Sequence, residues 1–347
     1  MSETDETVGT DLVRVFDVTF GDLLVPKDKA ALLERGAAEQ RLAELIGKAK
    51  AKNTRIAYAK AWADYSAWCD RLGFVALAGD PQQVGMYLAS IAHLAAGTVR
   101  QRLAAIKLAH QYTGVSLDTQ HYYVAAALRG LEREQRDRTP RKASPLLPGQ
   151  LRAVLEATGP GPTGARDRAM ILLGFGAALR RSEIVALDVS HVRIEDRGLL
   201  LSMGASKTNQ VGVADHRAIY RAKDAAVCPA RALEAWLAVR GRDAGPLFVR
   251  IRRGGTLTQE RLRDNGLNLI LKTLCAKAGL DAAVFSGHSL RAGFATTADR
   301  QGASLNSIMR TTKHKKVDTL MGYLRENDAW RDNATEAVFG RFDEEAD

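Results

Sequence analysis

Two histidines, an arginine and a tyrosine crowd one stretch near the end of this sequence: His288-Ser289-Leu290-Arg291, then His314, then Tyr323. The set suits a tyrosine attacking a phosphate. A phenol is a poor nucleophile at neutral pH, because its unperturbed pKa is about 10. It becomes useful when cations and a proton acceptor surround the reacting group. His288 and Arg291 are spaced to share one face of a helix. There an Arg can bind a phosphate as a bidentate donor, and a His as donor or proton acceptor. Upstream, Leu179-Arg180-Arg181-Ser182-Glu183 follows an apolar run, Ala169 to Ala178, that reads as a buried helix. An Arg at the edge of a core must find a carboxylate or present itself to an anion. Glu183 can orient Arg180, or simply pair with it. Lys207 falls in Ser206-Lys207-Thr208-Asn209-Gln210, a turn from which a lysine can deliver a proton; a solvated turn lysine is the commoner case. Of eight tyrosines, Tyr58, Tyr65, Tyr87 and Tyr112 fall in apolar helix patterns, and Tyr122 and Tyr123 open a further helix. Tyr220 sits in a basic stretch; only Tyr323 follows a His/Lys cluster.

The elements that must position these groups are mainly α-helical. Residues 1–50 read as an N-terminal extension, with helical spacing from Lys27 to Lys50. Residues 51–136 read as a helical bundle. Asn53-Thr54 is the expected cap of its first helix, with Trp62, Tyr65, Ala67 and Trp68 on the inner face. Asp80-Pro81 opens the second helix and Thr98 the third. In the third, Val99, Leu103, Ile106 and Leu108 line the inside, and Arg100, Gln101, Arg102 and Lys107 lie toward the outside. Tyr122 to Leu131 is the fourth. Residues 137–148, with Pro140 and Pro145 and a basic surplus, read as a linker. Residues 149–347 form a second, mostly helical domain. Within it Val189–Ile194, Leu199–Met203 and Val211–Ala214 read as a small antiparallel sheet, with turns at Glu195–Gly198 and Lys207–Gln210. Asp318 to Leu324 is an expected helix carrying Tyr323.

The 347 residues suffice for two cores, and 46% hydrophobic with 26% charged is a globular profile. The longest apolar run is too short to span a bilayer, so no membrane partner is expected. The acidic start has no apolar segment behind it, unlike a secretory leader. Cys69, Cys228 and Cys275 show no paired spacing, which argues for a reducing, cytoplasmic setting and against a zinc site. The net charge of +10, with acidic residues gathered at both ends, points to a polyanionic partner for the middle of the chain.

Taken in order, Arg180…Glu183, Lys207 on a hairpin, His288-x-x-Arg291, His314 and Tyr323 resemble the catalytic signature of the tyrosine recombinases, the phage integrase family. The resemblance runs from about Asn53 to the C-terminus and is nearest the Cre-like branch. Thr54 to Cys69, Pro246-Leu-Phe-Val-Arg-Ile-Arg-Arg, Ser286-Gly-His-Ser-Leu-Arg, Ser307-Ile-Met and Met321-Gly-Tyr-Leu-Arg carry it. It departs from the commoner pattern twice: Lys313-His314 stands where the family has Gly-His, and Ala178-Leu179 precedes Arg180 where the family has Thr-Gly-Leu.

The resemblance implies a core-binding (SAM-like) helical bundle and a mixed α+β catalytic domain with a small antiparallel sheet. It implies Tyr323 as nucleophile, Arg180 and Arg291 on the phosphate, and His288 and His314 beside them. Lys207 would be the general acid and Glu183 the support. It implies strand exchange through a 3′-phosphotyrosyl intermediate and a Holliday junction, without cofactor, metal or ATP. The expected partner is double-stranded DNA with inverted repeats, bound by a homotetramer on two duplexes that is monomeric or weakly associated when free. Ala334 to Phe339 would be a tail helix passed to a neighbour. Thr54, Arg55, Lys60, Arg100, Gln101, Arg102, Arg141 and Lys142 are the expected DNA contacts; Arg and Gln can read guanine and adenine edges. Two other readings share part of this pattern. A non-enzymatic DNA-binding protein explains the charge and the bundle, and a type IB topoisomerase shares the chemistry.

Overall fold

A computed structural model describes residues 37–38, 40–42, 45–46, 49–136, 143–203, 215–314, 317, 320–321 and 334–339. The chain divides into two compact units, Met1–Pro140 and Arg141–Asp347.

The first unit is a helical bundle whose described long helices are α1 (Lys52–Leu72), α2 (Pro81–Ser90), α3 (Ala96–Thr113) and α4 (Tyr122–Glu134). Asp80 caps α2 as expected: its carboxylate accepts the Gln82 amide and Pro81 takes the first turn. The expected caps of α1 and α3 are displaced. Ala51 and Ala95 precede those helices, and Thr54 and Thr98 lie inside the first turns. The core is aromatic. Trp62, Tyr65, Trp68 and Tyr87 pack together with Val84, Val99 and Ile106, whereas Ala67 faces solvent. One buried polar side chain ties this core. The Gln83 amide donates to the Tyr65 hydroxyl (2.7 Å) and to the Val75 carbonyl (3.0 Å).

The second unit begins with a segment that the sequence reads as linker. Residues 143–147 instead lie against the body of the unit. The Ser144 amide donates to the Val284 carbonyl and the Leu146 amide to the Ser289 carbonyl, at 2.9 and 3.0 Å. Leu146 is fully buried in the core. An apolar residue between two prolines, which the basic composition around it hid, pulls this stretch inward. Helices α5 (Pro148–Glu156) and α6 (Gly161–Gly176) follow, then α7 (Arg181–Ala186). The sheet is β1 (Val192–Glu195), β2 (Gly198–Met203) and β3 (Asp215–Tyr220), in that order and antiparallel throughout. Val189–His191 is a 3-10 turn rather than strand. The described third strand is Asp215–Tyr220, and the expected Val211–Ala214 falls outside the described residues. Leu199 pairs with Ile219 and Leu201 with Arg217. After α8 (Pro229–Arg240), a second hairpin that the sequence reading missed joins β4 (Val249–Ile251) to β5 (Leu257–Arg261).

Helices α9 (Asp264–Lys277), α10 (Gly287–Arg300) and α11 (Leu305–Thr312) complete the body. Alpha-helix α6 packs against α8 and α10 and carries the centre of the core. Gly293 lets the 143–147 segment approach α10, since a Cβ there would stand 2.1 Å from the Leu146 carbonyl oxygen. Of the expected Tyr323 helix, residues 320–321 are described and helical. Leu320 is buried with Ala295 of α10 and Ile308 of α11. A last helix, α12 (Ala334–Phe339), leaves Val338 and Phe339 exposed.

Candidate active site

The site is built on a turn. Helix α6 ends at Gly176, and Ala178 then adopts a left-handed backbone (φ 49°). The chain swings out of the core at buried Leu179 and delivers Arg180, extended, to the N-terminus of α7. Glu183 on the first turn of α7 fixes it twice. Its Oε2 accepts the Arg180 backbone N–H at 2.8 Å, and its Oε1 accepts from the Arg180 guanidinium at 2.7 Å. This is a capping interaction that also aims the head group. Glu183 is buried, so its charge requires partners. A second one stands behind it: Arg217 of β3, with Nη2 3.5 Å from Glu183 Oε2.

The opposite wall is the start of α10. Ser286 caps it, accepting the His288 amide at 3.2 Å, while the Ser286 amide donates to the Ser289 hydroxyl at 3.0 Å. The Gly287 amide donates to Asn268 Oδ1 of α9 at 2.8 Å. Gly287 permits that closeness, because a Cβ there would meet Leu267 and Arg181 at 3.1 and 3.2 Å. These bonds leave His288 at the surface and Arg291, one turn on, almost wholly inside (1% exposed). Arg291 Nη1 donates to the Ala178 carbonyl at 2.8 Å, joining α10 to the Arg180 turn.

The third contributor follows α11. Lys313 closes that helix in a left-handed conformation (φ 54°) and hands the chain to His314. Thr312 has one hydroxyl proton, and the Ile308 carbonyl takes it at 2.8 Å. His314 Nδ1, 2.9 Å from the same oxygen, is therefore the donor in their contact. The His314 pKa is pushed down to about 4, first by partial burial and then by Arg291, Arg180 and His288. That of His288 is lowered too, by partial burial and then by Arg291 and Arg180. Each imidazole thus feels the same two guanidiniums. Arg180, His288, Arg291 and His314 form one electropositive group, its histidines neutral at pH 7, suited to an anion.

Five of the seven residues singled out for chemistry therefore come together: Arg180, Glu183, His288, Arg291 and His314. Lys207 and Tyr323 lie outside the described residues, as do Arg141 and Lys142. In the first unit, Arg55 and Lys60 are exposed on α1, and Arg100 and Gln101 on α3. Arg100 pairs with Glu132 at the surface. Thr54 is half-buried within α1. Arg102 is turned into the bundle, where it binds Asp64 and the Tyr87 hydroxyl. The sequence reading missed Arg217. No apolar alternation in the sequence marks it; the structure turns His216, Ala218 and Tyr220 outward and Arg217 and Ile219 inward.

The profile of the phage integrase family matches residues 145–329. An integrase/recombinase xerD homolog of Selenomonas ruminantium is 34% identical over 301 residues, 85% of this chain and 88% of its own length. The chain belongs to the phage integrase family, the tyrosine recombinases. Recombinase cre of Escherichia phage P1 is 25% identical over 295 residues, covering 79% of this tyrosine recombinase and 83% of its own length. Among solved structures, XerH bound to a palindromic difH substrate shares the fold with a TM-score of 0.60 at 16% identity, covering 97% of this chain and 95% of that one. A lambda integrase dimer bound to a COC′ core site gives 0.56 at 17%, covering 83% and 94%. The two departures from the commoner family pattern acquire a physical meaning. Ala178 and Lys313 stand where the family has Gly, and among the described residues they are the non-glycine residues with positive φ. Both turns hold a left-handed backbone without glycine, the residue that adopts it freely.

Proposed function

We propose that this tyrosine recombinase cuts and rejoins duplex DNA at specific sites through a covalent 3′-phosphotyrosyl intermediate and a Holliday junction. The observation that carries the reading is the convergence of Arg180, His288, Arg291 and His314 on one electropositive group, braced by Glu183. At a scissile phosphate, negative charge grows on the non-bridging oxygens, and Arg180 and Arg291 meet it. Removing one such preorganised donor costs on the order of 10²–10³ in rate. The Tyr323 oxygen attacks phosphorus, and the bond from phosphorus to the 5′ oxygen breaks. Lys207 protonates the departing oxygen, and a neutral histidine, His288 by preference, takes the tyrosyl proton. A 5′-hydroxyl from another strand reverses the step, so bond energy is kept without ATP. The arginines supply the charge stabilisation that magnesium supplies in other phosphoryl transfers.

The helical unit would hold the DNA through Arg55, Lys60, Arg100 and Gln101, with Thr54, Arg102, Arg141 and Lys142 as further candidate contacts. Residues 51–136 would be the core-binding domain and 149–347 the catalytic one. Four protomers would assemble on two duplexes carrying inverted repeats, with α12 as the exchanged tail. A cytoplasmic setting suits Cys69, Cys228 and Cys275, which are buried and unpaired. The DNA flanking the protein's gene, scanned for inverted repeats with a short spacer and cloned in two copies on a plasmid, separates this reading from its enzymatic rival. Recombination between the copies is the expected result. Relaxation of supercoils without joining would assign the protein to topoisomerase chemistry instead.

A further inference from the structure

We propose that Arg217 is a positioning residue for this reaction, acting on Arg180 through Glu183 and the Ala177–Ala178 turn. The proposal rests on the recombinase reading above. Arg217 is 4% exposed, on the inward face of β3 opposite Leu201. A guanidinium in such a place is retained only where partners replace its water. Two of its contacts lead to the site. Nη2 lies 3.5 Å from Glu183 Oε2, and Nη1 donates to the Ala177 carbonyl at 3.0 Å.

These contacts have two consequences. The first concerns charge. Arg180 and Glu183 alone would neutralise each other at 2.7 Å and leave little attraction for a phosphate. Arg217 shares the same carboxylate, so the three groups keep one positive charge in excess. The carboxylate can aim Arg180 without cancelling it. The second concerns the backbone. Arg217 holds the carbonyl of Ala177, and Arg291 holds that of Ala178, at 3.0 and 2.8 Å. Two guanidiniums from different elements thus pin consecutive carbonyls of the left-handed turn that carries Arg180. A non-glycine residue in that conformation persists only where its surroundings over-determine it. In sequence, β3 directly follows residues 204–214, which contain Lys207. Arg217 is therefore on the strand that leads from the candidate general acid to the Arg180 turn.

The test uses full-length Arg217→Met and Arg217→Lys, alone and in combination with Glu183→Gln. The probe is a nicked duplex built on the target site recovered by scanning the gene's flanking DNA for inverted repeats, from which cleavage releases a short strand and traps the covalent adduct. Arg217→Met is expected to lower the single-turnover cleavage rate about 10²-fold, with DNA affinity held within a few-fold. Arg217→Lys restores the charge but not the planar fork, and should recover part of the rate. Because Arg217 acts through Glu183, the double variant should lose clearly less than the product of the two single losses. Wild-type cleavage by Arg217→Met, or losses that multiply and track the folded fraction, would overturn the proposal. A second readout needs no DNA: the guanidinium ¹⁵N signals of Arg180. They should shift and exchange faster in Arg217→Met, and in Arg217→Lys if Met at this position prevents folding. Unchanged signals would refute the positioning role. A wild-type protein that forms no adduct would refute the recombinase reading instead.

Discussion

At the scale of single residues, the site is a balance of charges that exclude further protons. His314 stays neutral in the folded protein down to about pH 4, whereas in the unfolded chain it protonates near pH 6.5. Between those values the unfolded state takes up a proton that the native state refuses. Stability is therefore fully present above about pH 6.5 and falls as the pH drops through that window. The lowered pKa of His288 acts in the same direction. His314→Asn should flatten the pH dependence of urea denaturation between pH 6.5 and 4; an unchanged slope would contradict the assignment. The buried phenols of Tyr65 and Tyr87 are pushed the other way, upward, chiefly by desolvation. Both are tied into the bundle by Gln83 and by Asp64 and Arg102, respectively. They are poor nucleophiles, in keeping with their reading as core residues. Arg180, His288 and Arg291 were legible in the sequence because their spacing follows helix ends and helix faces. Arg217 was not, because the sequence around it shows no apolar alternation to mark a strand; its inward direction comes from pairing with β2.

At the scale of elements, the helices were readable and the strands and connections less so. Asp80-Pro81 marks α2 through local chemistry, and the aromatic spacing of α1 marks its buried face. The first turns of α1 and α3 begin at alanines, where no side-chain cap advertises the start. The small sheet was expected; its described third strand, Asp215–Tyr220, carries no apolar alternation that would mark it, and the expected Val211–Ala214 lies outside the described residues. The hairpin at β4–β5 is short and contains arginines, so composition hid it. Element ends also hold the clearest stability prediction. Lys313 ends α11 with φ 54°, a conformation that costs an L-residue roughly 1–2 kcal/mol and glycine little. Lys313→Gly should stabilise the protein by about 1 kcal/mol, raising Tm by a few degrees. A lowered Tm would mean that contacts of the lysine side chain outweigh the backbone strain.

At the scale of the whole molecule, two units divide the expected tasks between DNA grip and chemistry. Family membership makes the basic surplus of +10 meaningful. If six to ten phosphates are neutralised, DNA affinity should fall about 10³–10⁵-fold between 50 and 200 mM salt. A titration showing little salt dependence would argue against a phosphate-tracking clamp. The relatives include Xer and Cre recombinases alike, which marks the family rather than a branch of it. The central claim is that Tyr323 becomes joined to a DNA 3′ end. The most direct measurement incubates the intact protein with the nicked duplex, denatures it, digests it and maps the DNA-modified peptide by mass spectrometry. The account predicts a denaturant-resistant adduct on Tyr323, absent from Tyr323→Phe. An adduct that survives in Tyr323→Phe, or strand transfer by that variant, would contradict it.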